Sequence, residues 1–125
     1  MEELLDHYVA AFDRLDAEQI AGLYRMPCAI ADADGVQTFT EHEMLVRKFS
    51  QNCMQLQGLG YQRAQYQLLS VEPLGDNQLL VNVAWRVVFA DSQLDFRTVY
   101  IVHKLEQRWL IFSTHVYPGS FASGQ

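Results

Sequence analysis

The chain has 125 residues, of which 50% are hydrophobic and 19% charged, and its net charge is −6. This is the size and balance of one folded domain, and it excludes disordered and collagen-like classes. Nine Lys and Arg against fifteen Asp and Glu form no basic face, so we expect no nucleic-acid and no membrane partner. The start, Met1-Glu2-Glu3, is acidic where a signal peptide would be basic, so we expect a cytoplasmic protein. We expect a single domain over residues 1–117 and a loose C-terminal tail over 118–125.

Apolar residues at helical spacing predict two helices at the N-terminus. The first helix carries a stripe made of Leu5, Tyr8, Val9, Phe12 and Leu15. The second is short. Asp16 followed by Gln19 is typical of a capping box at its start, and Pro27 predicts that it ends at about Arg25.

A hairpin and a third helix follow. Asp34-Gly35 is a turn signal between the short apolar segments 28–33 and 36–39. Thr40 with Glu43 is typical of a second capping box, and Gly58 predicts the end of the longer helix that it begins. Cys28 and Cys53 lack metal-binding or redox spacing, so we expect buried, unpaired thiols.

After Gly60 the apolar period changes from that of a helix to that of a strand. Turn signals at 73–77, 91–92 and 106–107 divide the rest of the chain into four long strands. Helices first and antiparallel strands after them predict an α+β fold. We expect a cone, in which a curved sheet wraps on three N-terminal helices and encloses a cavity. The sheet face toward the helices is called the inner face, and the opposite one the outer face.

The alternation along strand 78–90 predicts which side chains face inward. Its odd positions are all apolar: Val81, Val83, Trp85, Val87 and Phe89. A two-residue turn at Asp91-Ser92 would place Trp85 opposite Thr98 and Val83 opposite Tyr100. We therefore expect Thr98 and Tyr100 on the inner face.

The loop before the last strand decides which of its side chains face inward. A three-residue loop, which we favour, pairs Lys104 with Arg108 and turns inward Leu110, Phe112, Thr114 and Val116. A two-residue loop would instead turn inward Ile111, Ser113 and His115. In the favoured arrangement the outer face holds Arg86, Arg97, Val99, Ile101, His103, Ile111 and His115. That face is apolar enough to predict a homodimer formed through it.

Several short segments resemble the nuclear transport factor 2-like superfamily. They are Tyr8-Val9-Ala10-Ala11-Phe12, Asp16, Ile20, Leu23-Tyr24, Ile30-Ala31-Asp32, Gly35 and Trp109-Leu110-Ile111. That superfamily includes ketosteroid isomerases, SnoaL-type polyketide cyclases and many small bacterial proteins. The resemblance implies a cystatin-like cone with a deep pocket, dimerised through its sheet.

Over the first 35 residues the chain is most similar to the ketosteroid isomerases. That resemblance implies Tyr8 as the donor to an oxyanion and Asp32 as the group that moves the proton. The second acid of that family has no counterpart, since 97–105 contain neither Asp nor Glu. Tyr100 is the inward residue nearest that position and could donate a hydrogen bond. The candidate catalytic residues are therefore Asp32, Tyr8 and Tyr100.

Each candidate also has a purely structural interpretation. Asp32 could cap the turn at Asp34-Gly35, and Tyr8 could be a packing residue. The expected ligand-binding residues are Trp85, Thr98, Phe112 and Thr114. The histidines at 7, 42, 103 and 115 share no ligand spacing, so we expect neither a metal ion nor a cofactor.

Three functional hypotheses remain. The first is a homodimeric protein that binds a small apolar organic molecule in its cone. The second is a proton-transfer isomerase or cyclase acting on a carbonyl compound. The third is a non-catalytic dimerisation module whose cone is filled by its own side chains. A cavity of about 300 Å³ or more with Asp32 in its wall would favour the first two.

Overall fold

Three helices pack against one face of a six-stranded sheet in the computed structural model, which describes residues 1–121. The helices are α1 (Glu2–Asp13), α2 (Ala17–Ala21) and α3 (His42–Gly58). The strands are β1 (Tyr24–Asp32), β2 (Gly35–Phe39), β3 (Tyr61–Pro73), β4 (Gln78–Phe89), β5 (Gln93–Leu105) and β6 (Arg108–Tyr117). Within residues 1–121 their order across the sheet is β2-β1-β6-β5-β4-β3; β1 and β6 pair in parallel, and the other neighbours pair antiparallel. The predicted α+β fold is confirmed.

The second helix begins as predicted but ends earlier. The Asp16 carboxylate accepts a hydrogen bond from the backbone N–H of Gln19 at 3.1 Å, which caps α2. The helix stops at Ala21 rather than at about Arg25, because the following residues join the sheet instead. The Ile111 N–H donates to the Leu23 carbonyl at 2.9 Å, and Tyr24 pairs with Ile111. Thus β1 starts at Tyr24, four residues before the expected start.

The third helix ends where the glycines predict, but its start differs. Glu41, not Thr40, is the N-cap residue, and its side chain makes no capping hydrogen bond. At the other end Gly60 has φ +79°, and a Cβ there would lie 3.0 Å from the Ala90 Cβ. This left-handed turn close to β4 therefore favours glycine.

The hairpin between β4 and β5 has a longer loop than predicted, but the inner face is unchanged. Val88 lies opposite Gln93, so Val83 lies opposite Thr98 and the register is shifted by two residues. The Ala90 N–H donates to the Gly60 carbonyl at 2.9 Å instead of pairing with β5. Because side chains alternate with a period of two, a two-residue shift leaves each one on the expected face.

The hairpin between β5 and β6 has the two-residue loop that we did not favour. Leu105 pairs with Arg108, and a bulge near Phe112 places Val102 opposite Ile111 but Ile101 opposite Ser113. Because the bulge adds one residue to β6, the side chains before and after it alternate between the two sheet faces in opposite phase. Ile111 is therefore 1% exposed in the core, which corrects its outer-face assignment. Beyond the bulge, Thr114 and Val116 face inward, as expected.

The described part of the tail lies against the outer face. The Ser120 carbonyl accepts hydrogen bonds from Nε and Nη2 of Arg97 at 3.0 and 2.9 Å. The Phe121 ring lies 4.4 Å from Cζ of Arg86, whose guanidinium also pairs with Asp95. Residues 122–125, the rest of the predicted loose tail, lie outside the described residues. Within 1–121, no helix has the length and apolar character needed to cross a bilayer.

Candidate functional site

A cavity of about 410 Å³ lies between the helices and the inner face of the sheet. The apolar side chains around it are Phe12, Ile30, Phe49, Leu56, Leu59, Ala64, Val87, Phe89, Leu94, Phe96 and Val116. They come from α1, from α3 and its C-cap residue Leu59, and from the inward positions of every strand except β2. The cavity therefore presents a mostly apolar surface, on which a few polar groups stand out.

Hydroxyl groups from the helix side and the sheet side meet in the wall of this cavity. The Tyr24 hydroxyl on β1 lies 2.9 Å from the Tyr8 hydroxyl on α1 and 2.8 Å from Oγ1 of Thr114 on β6. Tyr100 on β5 lies beside them, its ring centroid 6.0 Å from that of Tyr8. We call Tyr8, Tyr24, Tyr100 and Thr114 the hydroxyl cluster. Each of its members is buried.

Trp85 connects the hydroxyl cluster to the β4–β5 part of the sheet. Its indole N–H donates to Oγ1 of Thr98 and to the hydroxyl of Tyr100, both at 3.1 Å. Its ring lies 5.8 Å from the Tyr8 ring, centroid to centroid. The indole N–H thus has acceptors on β5, and its orientation in the cavity wall is fixed.

Burial keeps the phenols of the cluster neutral. Desolvation, followed by the influence of neighbouring tyrosines, raises the pKa of Tyr8 well above its usual value. Desolvation also raises the pKa of Tyr24, and it raises the pKa of Tyr100 to about 12. Near neutral pH these groups are therefore O–H donors rather than phenolates.

An ion pair forms the charged part of the cavity wall. The Asp32 Oδ2 atom lies 3.0 Å from Nζ of Lys48 on α3, and the two side chains are 20% and 10% exposed. The other carboxylate oxygen of Asp32 accepts the Asp34 N–H at 2.9 Å. Asp32 therefore caps its turn and lines the cavity at the same time.

Six predicted site residues line the cavity: Tyr8, Asp32, Trp85, Thr98, Tyr100 and Thr114. Phe112 does not. Its ring stacks on His103 with centroids 4.5 Å apart, away from the cavity lining. The expected inward position of Phe112 is wrong because the loop is shorter than predicted and the β6 bulge falls at this residue.

The polar cavity residues that were not predicted are Tyr24, Lys48, Asn52, Gln55 and Tyr61. Tyr24 was assigned to a helix, although the even positions Tyr24, Cys28, Ile30 and Asp32 all face inward along one strand. Lys48 lies three residues after the buried Leu45, so helical spacing places it on the same face of α3. The spacing that places Lys48 is present in the sequence, whereas the strand position of Tyr24 depends on its pairing with β6.

The arrangement supplies hydrogen-bond donors inside an apolar space. Phenol hydroxyls and an ammonium group can donate to an oxygen atom of a bound molecule. Among residues 1–121, no group of three or more His, Cys, Asp and Glu side chains is placed to hold a metal ion.

Cys28 and Cys53 are both buried and free, and desolvation raises the pKa of Cys28 to about 11.

Solved structures with low sequence identity share this fold. An NTF-2 like protein of unknown function from Shewanella oneidensis MR-1 has a TM-score of 0.77 at 16% identity, covering 92% of this chain and 93% of that one. A domain of unknown function with a cystatin-like fold from Nostoc punctiforme has a TM-score of 0.79 at 15% identity, covering 95% and 75%. A provisionally named dehydratase of the NTF2-like family from Streptomyces avermitilis has a TM-score of 0.72 at 12% identity, covering 94% and 93%.

Sequence comparison gives the family. No curated protein matches the chain. A family model described as "NTF2-like protein (DUF6841)" matches residues 1–119. The superfamily resemblance seen in the sequence is thereby confirmed, and because the match extends over nearly the whole chain, the protein belongs to the NTF2-like family DUF6841.

Proposed function

We propose that this protein binds a small, largely apolar organic molecule in the cavity. The observation that carries the proposal is a cavity of about 410 Å³ with an apolar lining and inward hydroxyl groups. Binding pockets for small molecules typically measure about 300–1,000 Å³ and combine apolar walls with a few placed polar groups. A dimerisation module with a cone filled by its own side chains would leave no such space.

The polar groups of the wall favour a ligand with an oxygen atom. Tyr8 and Tyr24 are held near each other by a shared hydrogen bond, and Tyr100 is held by Trp85. Donors that are already oriented lose little conformational entropy when a ligand binds. A carbonyl or hydroxyl oxygen on an apolar molecule would find such donors in this cavity.

The test uses tryptophan fluorescence with a panel of aryl ketones. The Trp109→Phe variant leaves Trp85, in the cavity wall, as the only tryptophan. We expect ketone binding to quench its emission in a saturable way, and Ala64→Phe, which fills part of the cavity, to abolish the response. Val36→Phe, at a position that is 77% exposed on β2, is the matched control. Equal responses from the Ala64→Phe and Val36→Phe variants would contradict the proposal.

The proposed assembly is a homodimer formed through the outer face. Val99 and Ile101 lie there half-buried in the single chain, and a partner would remove them from water. The tail already lies beside Arg86 and Arg97, so the contact would centre on the β5–β6 side of that face. An interface of at least about 1,000 Å² is expected. Sedimentation equilibrium that finds only a 14.4 kDa species at micromolar concentration would exclude it.

Proton transfer on a carbonyl compound is the second candidate. Asp32 and the hydroxyls of Tyr8 and Tyr100 line one cavity, which is the arrangement that a base and its donors need. The provisional name of the Streptomyces avermitilis neighbour is in line with chemistry on this fold. Asp32 is held by Lys48 and Asp34, so binding without reaction is the function that we favour.

The catalytic candidate is tested with unsaturated ketones, followed by absorbance. If the wild-type protein isomerises any of them, Asp32→Asn should lower the rate by more than about a hundredfold, the lower bound for a general base. Asp34→Asn, in the adjacent turn, is the control and should keep the rate. A rate in the Asp32→Asn variant within threefold of the wild type would exclude Asp32 as the base.

A further inference from the structure

We propose that Lys48 contacts the ligand directly and that the ligand is a neutral molecule with two oxygen acceptors, one for Lys48 and one for the hydroxyl cluster. This inference rests on the proposed function and names its ligand class. In this arrangement Lys48 has two partners, Asp32 and the ligand.

The first step is the number of donors on the lysine. An ammonium group has three N–H donors. Within residues 1–121, the polar contact of Lys48 is the one with Asp32 at 3.0 Å, while its side chain is only 10% exposed. An ammonium with one protein acceptor can donate two further hydrogen bonds. Because Lys48 lines the cavity, a ligand oxygen there would accept a hydrogen bond from one of the remaining N–H groups.

The second step is the charge of that oxygen. Asp32 and Lys48 are the charged residues of the cavity lining, and their charges cancel. A carboxylate on the ligand would leave the site with an uncompensated negative charge in an apolar space, where a charge is costly to bury. A ketone or ester oxygen accepts the same hydrogen bond without adding charge. The cavity therefore favours a neutral acceptor over an anion.

The third step is the spacing of the strand positions that carry Thr114 of the hydroxyl cluster and Asp32, the partner of Lys48. Ile30 pairs with Thr114 of the hydroxyl cluster, and Asp32 follows Ile30 by two residues on the same face. Two residues of strand span about 7 Å and neighbouring strands are about 4.8 Å apart, so the Cα atoms of Asp32 and Thr114 are about 8 Å apart. A benzene ring with a carbonyl at each end spans a similar distance.

Three matched probes test the inference by isothermal titration calorimetry. They are 1,4-diacetylbenzene, 4-ethylacetophenone, which lacks one carbonyl, and 4-acetylbenzoate, which carries an anion. For the wild-type protein we expect the diketone to bind at least about tenfold more tightly than either of the others. The ethyl compound lacks the acceptor for one hydrogen bond, and the benzoate brings a negative charge into the apolar cavity.

Substitutions then assign the preference to Lys48. In Lys48→Met the diketone should lose its advantage over 4-ethylacetophenone. The variant that combines Asp32→Asn with Lys48→Met should behave in the same way, without leaving an unpaired carboxylate. Lys104→Met is the control: Lys104 lies 6.0 Å from the Trp109 ring and outside the cavity lining, so the preference should persist.

Each outcome has a clear meaning. An unchanged preference in both Lys48 variants would overturn the inference and leave the proposed function intact. Tightest binding of 4-acetylbenzoate would overturn the assignment of a neutral ligand. If circular dichroism shows that the wild-type protein is folded and no probe binds to it, both the inference and the proposed function are contradicted for aryl ketones.

Discussion

Tyr24 supports two other side chains through one hydroxyl group. It bonds to Tyr8 on α1 and to Thr114 on β6 inside the protein. We expect Tyr24→Phe to lower the free energy of unfolding by about 1–3 kcal/mol, because both buried partners lose a hydrogen bond. Urea unfolding measures the change. Tyr117→Phe, at a residue that is 38% exposed, is the control and should stay within about 0.5 kcal/mol of the wild type. Equal effects of the two variants would contradict a role for the Tyr24 hydroxyl.

Because of Tyr100, we expect the stability of the protein to vary with pH in the alkaline range. Desolvation raises its pKa from 10.0 to about 12, so the unfolded chain releases this proton at a lower pH than the folded protein. The stabilisation is complete below pH 10 and is lost as the pH rises toward 12. In that range Tyr100 should contribute a loss of up to about 1.4 kcal/mol per pH unit. Urea unfolding at several pH values should show a shallower fall for Tyr100→Phe than for the wild type, and parallel curves would contradict the expectation.

Side-chain position in the site was predictable wherever a simple period holds. Trp85, Thr98 and Tyr100 lie on regular strands, and a register error of two residues did not move them to the other face. Lys48 was harder to recognise, because its partner Asp32 is brought to it by the packing of α3 on β1. The sequence contains the spacing of each residue along its own element, but not that juxtaposition.

At the scale of elements, the turn between β5 and β6 is the least well matched to its residues. Glu106 and Gln107 have φ values of 50° and 71°, which side chains other than Asn, Asp and Gly rarely adopt. This two-residue loop with both φ values positive is the geometry that Asn-Gly prefers. No Asn-Gly pair marks this loop in the sequence.

This mismatch gives an engineering prediction. Replacing the pair by Glu106→Asn and Gln107→Gly should raise the free energy of unfolding by about 0.5–2 kcal/mol, since backbone strain is relieved. Chemical denaturation measures the gain. Gln107→Ala removes the same side chain but keeps a Cβ at positive φ, so it should give no gain. A gain of equal size from Gln107→Ala would show that the strain is not the cause.

The boundaries of elements were predictable only where local chemistry decides them. Asp16 caps α2 as its spacing indicates, and α3 ends at Gly58. The end of α2 and the start of β1 depend instead on pairing with β6. Tyr24 therefore joins a strand because of residues far along the chain, which no local pattern reports.

For the whole molecule, a single charge introduced on the outer face tests the proposed dimer. Ile101→Lys would place an ammonium group in the interface, and we expect it to produce a monomer at concentrations where the wild type is dimeric. The cause is the cost of removing an unpaired charge from water. Val36→Lys, which adds the same charge at an exposed position on β2, should leave the dimer unchanged. Size-exclusion chromatography with light scattering compares the masses, and a dimeric Ile101→Lys variant would place the interface elsewhere.

The parallel pairing of β1 with β6 has a consequence for synthesis on the ribosome. Tyr24 pairs with Ile111, so β1 emerges long before its partner strand exists. At typical elongation rates that wait is on the order of ten seconds. During it, β1 has an unpaired edge, and the core lacks Ile111 while the cavity lacks Thr114 and Val116. Nascent chains of this protein should therefore depend on chaperones until the last strand has been made.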